Sequence, residues 1–272
     1  MRYCRIIVTG RNRRWLEAAV DSFCGYGSSV IGCDAEVGVE QWLESSGTPD
    51  GRTGVGILVF GFSSKALQAA LVNRTGQCLM TCPTTAVYAG GGGEFETEGE
   101  PVERMPLGKH LRFFGDGYQK SKLIEDRRFW RIPVMDGEFV CEDFAYQMEG
   151  IGGGNFLILA DNRSNALLAS EKAVTAINKI PNVILPFPGG VVRSGSKVGS
   201  KYKSLIASTN FEYCPTIKPF VKSKLNGEIN SVLELVIDGT SEKDIIKAMK
   251  SGIKAIIDLG NKSGVKAISA GN

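Results

Sequence analysis

Histidine is nearly absent: His110 is the only one in 272 residues. Any Ser-His-Asp or Cys-His mechanism would have to run through it, and metal chemistry built on several histidines is excluded. His110 sits in Gly108-Lys109-His110-Leu111 with no nucleophile elbow nearby, so it reads as a loop or surface residue. Long apolar runs are missing too. No stretch approaches the ~18 consecutive apolar residues of a membrane span, and MRYCRIIVTG leads into a strand pattern without a signal-peptide apolar region. Charge of one sign is scarce: a net +3 leaves no footprint for nucleic acid or an anionic membrane, so any anion binding has to be local. The seven cysteines are odd in number and irregular in spacing; Cys78 and Cys82 stand four apart, but no second pair completes a zinc site. Buried free thiols and a cytoplasmic location are the expectation.

What is present is a repeated pattern. Arg5-Ile6-Ile7-Val8 reads as a strand, Leu16, Ala19, Val20 and Phe23 as the apolar stripe of a helix, and Ser29-Val30-Ile31 as a second strand. After the turn-like Thr48-Pro49-Asp50-Gly51 come a strand at 55–60, a helix face Leu67, Ala70, Leu71, and a strand at 78–81. The second half repeats the order: strand 155–159, helix through Ala166, Ala169, Ala173 and Ile177, strand 183–185, strand 232–237, a helix with Ile245, Ala248, Met249, Gly252, Ile253 and Ile256, and strand 265–269. Ser241 with Asp244 suits a capping box for that last helix. Both halves read βαββαβ, so the expected class is α+β with two ferredoxin-like lobes related by internal duplication. Residues 94–150 fit neither copy; 129–134 and 138–141, joined by Met135-Asp136-Gly137, predict a hairpin. The expected organisation is a first lobe at 1–93, a β arm at 94–150 and a second lobe at 151–272.

Residues 186–210, PFPGGVVRSGSKVGSKYKSLIASTN, hold four glycines and the bases Arg193, Lys197, Lys201 and Lys203 with no Asp or Glu. The Walker pattern fails: Ser194 stands five before Gly199, and Ser200 separates Gly199 from Lys201. What remains is a loop of glycine-freed amides, hydroxyls and lysines suited to carboxylate or phosphodiester groups, or else a solvated linker. Phe113-Phe114-Gly115-Asp116-Gly117-Tyr118 is either a turn with aromatic cover or a platform for a flat heterocycle with Asp116 accepting hydrogen bonds. Arg52 follows a turn that either serves itself or holds the guanidinium at a ligand carboxylate. Glu234 alternates with Leu233, Leu235 and Ile237, so the strand period puts it on the opposite face between Val232 and Val236. There it faces water or is partly desolvated with a raised pKa, as a proton-transfer group needs.

Taken together, these stretches resemble the formylmethanofuran:tetrahydromethanopterin formyltransferase family over essentially the whole chain. The matching segments are GSSVI (27–31) with Cys33, Ala35 and Glu36, TPDGR (48–52), GQCLMT (76–81), FFGDGYQ (113–119), IPVMDGEF (132–139), GGGNF (152–156), PFPGGVVRSGSKVGSKY (186–202), ASTN (207–210), YCPT (213–216), ELVIDG (234–239) and ISAGN (268–272). LRFFGDGYQ, WRIPVMDGEFVC and VVRSGSKVGSKYK look closer to the bacterial subunit of the formyltransferase/hydrolase complex than to the methanogen enzyme.

The resemblance implies a two-lobed subunit in dimers and tetramers, formyl transfer between methanofuran and N5 of tetrahydromethanopterin, and no bound metal or prosthetic group. Both coenzyme substrates carry carboxylates, and the pterin also a phosphodiester. The family's proposed catalytic glutamate falls at Glu234; the substrate-binding set implied is Arg52, Phe114, Asp116, Tyr118, Gly189, Gly190, Ser194, Lys197, Ser200, Lys201, Ser208, Thr209 and Asn210. Further subunits of a formyltransferase/hydrolase complex are expected as partners, and a non-catalytic pterin-binding or assembly subunit is the alternative. Members of the family normally extend before the strand at Arg5 and beyond ISAGN, so a fragment or shortened paralogue is expected. A nucleic-acid-binding sheet lacks the aromatic RNP pattern and clustered basic charge.

Overall fold

Strand alternation in the first 90 residues is strict enough to define a buried face. Cys4, Ile6 and Val8 point with Val55, Ile57 and Val59 into one apolar core, against Leu16, Ala19, Val20, Phe23, Leu67, Ala70 and Leu71 from two helices. In a computed structural model that describes residues 1–30, 32–91, 103–195 and 197–270, the chain divides into two compact units, Met1–Gly152 and Gly153–Asn272.

The first unit runs β1 (Arg2–Thr9), α1 (Arg13–Ser29), β2 (Ala35–Leu43), β3 (Gly54–Gly61), α2 (Ser64–Arg74), β4 (Ala86–Ala89), β5 (Glu103–Pro106), α3 (Gly108–Leu111), β6 (Lys120–Ile124), β7 (Arg127–Val134), β8 (Gly137–Glu142) and β9 (Phe144–Glu149). Its sheet has the order β2-β3-β1-β4-β8-β7-β6, with β9 pairing both β1 and β5. The pairing is antiparallel except for β4 with β8, so the sheet is mixed. The strands expected as a separate arm are therefore hydrogen-bonded into this sheet. The hairpin within them forms as the sequence indicates, with Val134 opposite Gly137 across Met135-Asp136.

Two expected strands are corrected. Ser29-Val30 is not a strand: α1 runs on to Ser29, where the hydroxyls of Ser28 and Ser29 donate to the Gly25 carbonyl at 3.4 and 2.6 Å, and Ile31 lies outside the described residues. The partner strand is β2, four residues beyond that run. Residues 78–81 are not a strand either; 75–79 form a single π-helical turn continuing α2, with Cys78 and Leu79 buried. A short apolar run there packs as a helix face, and the strand proper is β4.

The second unit runs β10 (Ile151–Ala160), α4 (Arg163–Ile177), β11 (Val183–Ile184), β12 (Lys197–Val198), β13 (Ala207–Ser208), β14 (Ser231–Gly239), α5 (Glu242–Ile257) and β15 (Val265–Ser269). Its main sheet has the order β11-β14-β10-β15. One face packs Phe156, Ile158, Leu235 and Ile237 on Ala169, Ala173 and Ile177 of α4 and Ile245, Ala248 and Ile256 of α5. The Phe, Leu and Ile side chains of this set gain about 2 kcal/mol each on burial. Ser241 caps α5: its hydroxyl accepts from the Asp244 amide at 3.2 Å and donates to Asp244 Oδ2 at 2.6 Å. The opposite sheet face is covered by residues 185–230, which return from β11 to β14 and bury Leu157 and Leu159 under Leu225 and Ile229, with Tyr213 and Val232 packed alongside.

Candidate functional site

The return over the second sheet determines what surrounds Glu234. Val192 and Glu234 exchange both backbone hydrogen bonds, at 2.8 and 2.9 Å, so the loop is stitched to β14 at that residue. Side chains on this face alternate with those of the helix-facing core, and Glu234 is 2% exposed among them. The solvated alternative for this carboxylate is thereby removed. Asn155 of the neighbouring β10 donates its Nδ2 hydrogen to Glu234 Oε1 at 2.8 Å. A cavity of about 30 Å3, lined by Leu157, Val192, Arg193, Ser194, Gly195, Asn210, Tyr213, Cys214, Val232, Leu233 and Glu234, opens beside the carboxylate. That is room for about one water molecule or one small polar group.

Of the residues implied by the sequence, Ser194 and Asn210 thus meet Glu234 around one cavity. The rest of the glycine- and lysine-rich segment builds its frame. Gly189 and Gly190 form a turn with φ of +63° and +78°, conformations open to glycine. Lys197 and Val198 pair with Ser208 and Ala207 in a two-stranded hairpin, where the Ser208 hydroxyl donates to Gly199 O at 2.7 Å and Ser200 Oγ accepts from the Tyr202 amide at 3.1 Å. Lys197 Nζ lies 3.9 Å from the centre of the Phe211 ring, while Lys201 is exposed at the hairpin end. Thr209 Oγ1 and Cys214 Sγ are 3.1 Å apart, and the same sulfur donates to Asn210 O at 3.3 Å. This ties the end of ASTN to YCPT.

The first unit contributes two other expected groups. Arg52 is committed to its own turn: Nε donates to Asp50 Oδ2 at 2.7 Å, Nη1 to Thr84 O at 2.5 Å and Nη2 to Thr9 Oγ1 at 2.8 Å. Thr9 and Tyr88 also donate to Asp50 Oδ2, at 2.7 and 3.0 Å. Burial works to raise the Asp50 pKa, but hydrogen bonds from Thr9 and Arg52 with the Arg52 charge outweigh it, and the net shift is downward. Phe114 lies in a short 3-10 turn, Arg112–Gly115, closed by Asp116 at φ +50°, with Tyr118 two residues beyond; Phe114 and Tyr118 are 68% and 79% exposed. Phe114 borders two neighbouring grooves of about 640 and 680 Å3, which share Gly76, Met80 and Thr81; the first also takes in Pro133, Met135 and Asp136, the second His110 and Gln77. The only histidine, His110, meets Gln68 with Nε2 3.2 Å from the amide nitrogen.

Sequence reading overlooked Asn155, Arg193, Tyr213 and Cys214. Asn155 carried a signal, because alternation from Leu157 and Leu159 puts it on the Glu234 face. Tyr213 and Cys214 reach the cavity through an irregular return with no periodicity to read. Among the described residues no cluster of three or more His, Cys, Asp or Glu could hold a metal ion, and no helix is long and apolar enough to cross a membrane. All seven cysteines are free.

The site thus comprises a buried carboxylate, an amide that donates to it and a cavity with room for about one water molecule. The family of formylmethanofuran-tetrahydromethanopterin formyltransferases matches residues 1–134, and its proximal-lobe family matches residues 137–272. The formylmethanofuran–tetrahydromethanopterin formyltransferase of Methylobacillus flagellatus is 54% identical over 100% of this chain and 89% of its own length. A component of the formyltransferase/hydrolase complex of Methylorubrum extorquens is 45% identical over 98% of this chain and 85% of its own length. Among solved structures, the formyltransferase/hydrolase complex of M. extorquens with methylofuran superposes with a TM-score of 0.92 at 44% identity, covering 100% of this chain and 87% of that one. The Methanosarcina barkeri formyltransferase gives 0.89 at 41%, covering 100% and 89%. The chain is a transferase enzyme with the mixed α+β fold of these structures. It belongs to the formylmethanofuran–tetrahydromethanopterin formyltransferase family.

Proposed function

We propose that the protein transfers a formyl group between formylmethanofuran and N5 of tetrahydromethanopterin, with Glu234 carrying the proton. The carrying observation is the buried Glu234 carboxylate, bonded to Asn155 and bordering a small cavity. Attack by N5 on the formyl carbon gives a tetrahedral oxyanion and a cationic nitrogen. Glu234 takes the proton from that nitrogen and delivers it to the methanofuran nitrogen, whose bond to carbon then breaks to release a neutral amine. Family membership supports the two substrates, and the methylofuran complex of the M. extorquens relative supports a furan-type coenzyme.

In this proposal Ser194 and Asn210 face the reacting groups, and Gly189, Gly190, Ser200, Ser208 and Thr209 shape the loop that presents them. Lys197 and Lys201 anchor anionic coenzyme tails. Phe114, Tyr118 and Asp116 supply a platform for a flat ring, whereas Arg52 keeps its turn in shape. No resident cofactor takes part. The two units are copies of one ferredoxin-like βαββαβ motif, supported by the matching strand orders β2-β3-β1-β4 and β11-β14-β10-β15 and by the caps, Asn12 and Asn162 on the first helix and Ser63 and Ser241 on the second. A cytoplasmic homotetramer, able to join other complex subunits, completes the reading; the M. extorquens relative's designation as part of a complex supports the last part.

Purified protein assayed with formylmethanofuran and tetrahydromethanopterin tests it. Turnover that drops by about 100-fold or more in Glu234→Gln is expected. No turnover in the wild-type protein overturns the activity, and binding of the pterin without turnover supports a non-catalytic pterin-binding or assembly subunit instead. Full turnover in Glu234→Gln overturns the proton role alone.

A further inference from the structure

We infer that Asn155 is the positioning residue for the Glu234 carboxylate, fixing both its orientation and its proton affinity; this rests on the proposed proton role of Glu234. Asn155 lies on the face of β10 that carries Leu157 and Leu159, and its Nδ2 donates to Glu234 Oε1 at 2.8 Å. The backbone of Glu234 is locked to Val192 in both directions. With main chain and one carboxylate oxygen fixed, the direction in which the group exchanges a proton is fixed as well.

A neutral amide suits a group that must be charged in one half of a reaction and neutral in the other. Its N–H donates to the carboxylate; turned over, its carbonyl accepts from the carboxylic acid. An arginine or lysine in this position would hold the carboxylate ionised and prevent return of the proton. A hydrophobic residue would leave a buried charge without that support. Among the described residues, the other ionisable groups that line the cavity at Glu234 are Arg193, Tyr213 and Cys214 from the return over the sheet; β10 carries none, and on β14 Asp238 accepts from the Gly153 amide at 3.0 Å. Asn155 is the side-chain donor that the adjoining strand brings to Glu234, and its removal should register in the pH profile of turnover.

The test is the pH dependence of kcat and KM in the full chain for Asn155→Ala, Asn155→Asp, Asn155→Gln and Glu234→Gln, with thermal melting alongside. Losing a donor to the ionised form raises the carboxyl pKa, so the acid limb of the kcat profile in Asn155→Ala should move up by about one pH unit. The value of kcat at the wild-type optimum should drop about 10-fold, with KM for both substrates held within about 2-fold. Asn155→Asp, of the same shape, puts a second acid against the first and should move the limb further; it also covers failure of the alanine variant to fold. Asn155→Gln keeps an amide donor and should return the limb toward wild type. A merely structural Asn155 would lower the melting temperature and leave the profile in place. Profiles that superimpose on wild type while Glu234→Gln is inactive overturn the inference and leave the proton role standing. A fully active Glu234→Gln overturns the proton role first.

Discussion

Gly195 and Asn210 meet so closely that a β-carbon on the glycine would lie 2.8 Å from Asn210 Cβ and 2.9 Å from its backbone nitrogen. Gly195 also holds φ at +77°, a conformation that costs a side-chain-bearing residue about 1–2 kcal/mol. Both residues line the cavity at Glu234. Gly195→Ala should therefore distort the cavity wall while sparing the sheet core. The expected result is a fall in kcat/KM of about 10-fold or more with a melting temperature within a few degrees of wild type.

The lysines of the same loop make a separable prediction. Lys197 lies on the Phe211 ring and Lys201 is exposed on the hairpin, so neither can exchange a proton with the reacting atoms through the Glu234 cavity. Lys197→Ala and Lys201→Ala should raise KM by about 3- to 10-fold each and leave kcat nearly unchanged. The wild-type KM should rise with added salt, and less steeply in the double variant, since exposed charges are screened. Steady-state kinetics at two ionic strengths distinguishes this from a purely architectural loop.

Arg52→Ala should act on stability. It removes donors to Asp50, Thr9 and Thr84 and leaves Asp50 partly buried without its guanidinium, a loss of about 2 kcal/mol. Because the folded-state pKa of Asp50 lies below its ordinary 3.8, its contribution is complete above that value and is lost as pH falls through the folded value. Urea unfolding across the acid range should show the wild type losing stability there, with a shallower loss in Arg52→Ala. Activity of the folded variant should stay within about 3-fold. A selective loss of substrate binding would instead assign Arg52 to the site.

Thiol reactivity provides a probe of the core of the first unit. Burial pushes Cys4 and Cys24 up to about 12, and pushes Cys141 up as well, with Glu142 and Asp143 adding to the rise. At neutral pH these sulfurs stay protonated. Titration with a chromogenic disulfide should label Cys33 and Cys214 first in native protein, both partly exposed, and the buried Cys4 and Cys141 only after denaturation. Peptide mapping of the labelled protein checks the order.

The fold was most legible where one face of an element is apolar. The helices at Leu16 and Ile245 and the strands at Ile6, Ile158 and Leu235 follow from their period alone, as do the cap at Ser241 and the β7–β8 hairpin. The two failures, at Ser29-Val30 and at 78–81, are short runs next to a helix end, where four residues cannot distinguish a continuing helix from a strand. The site was half legible. Alternation placed Glu234 opposite Leu235, but its surroundings are completed by Val192, Asn210 and Tyr213, which approach from an aperiodic segment. Arg52 shows the reverse case: residue type suggested a ligand partner, whereas Asp50, Thr9 and Thr84 are brought to it only by the fold. Asn155 stood in a recognised segment, and its value emerges only from the neighbouring strand.

The roof formed by residues 185–195 and 197–230 should also open on a timescale of its own. It contributes Leu225 and Ile229 to a small apolar patch, while the main core lies on the other side of the sheet among α4 and α5. Partial opening of that roof would break the Val192–Glu234 bridge without melting the helices, so hydrogen exchange at the Glu234 amide should follow the roof rather than the domain.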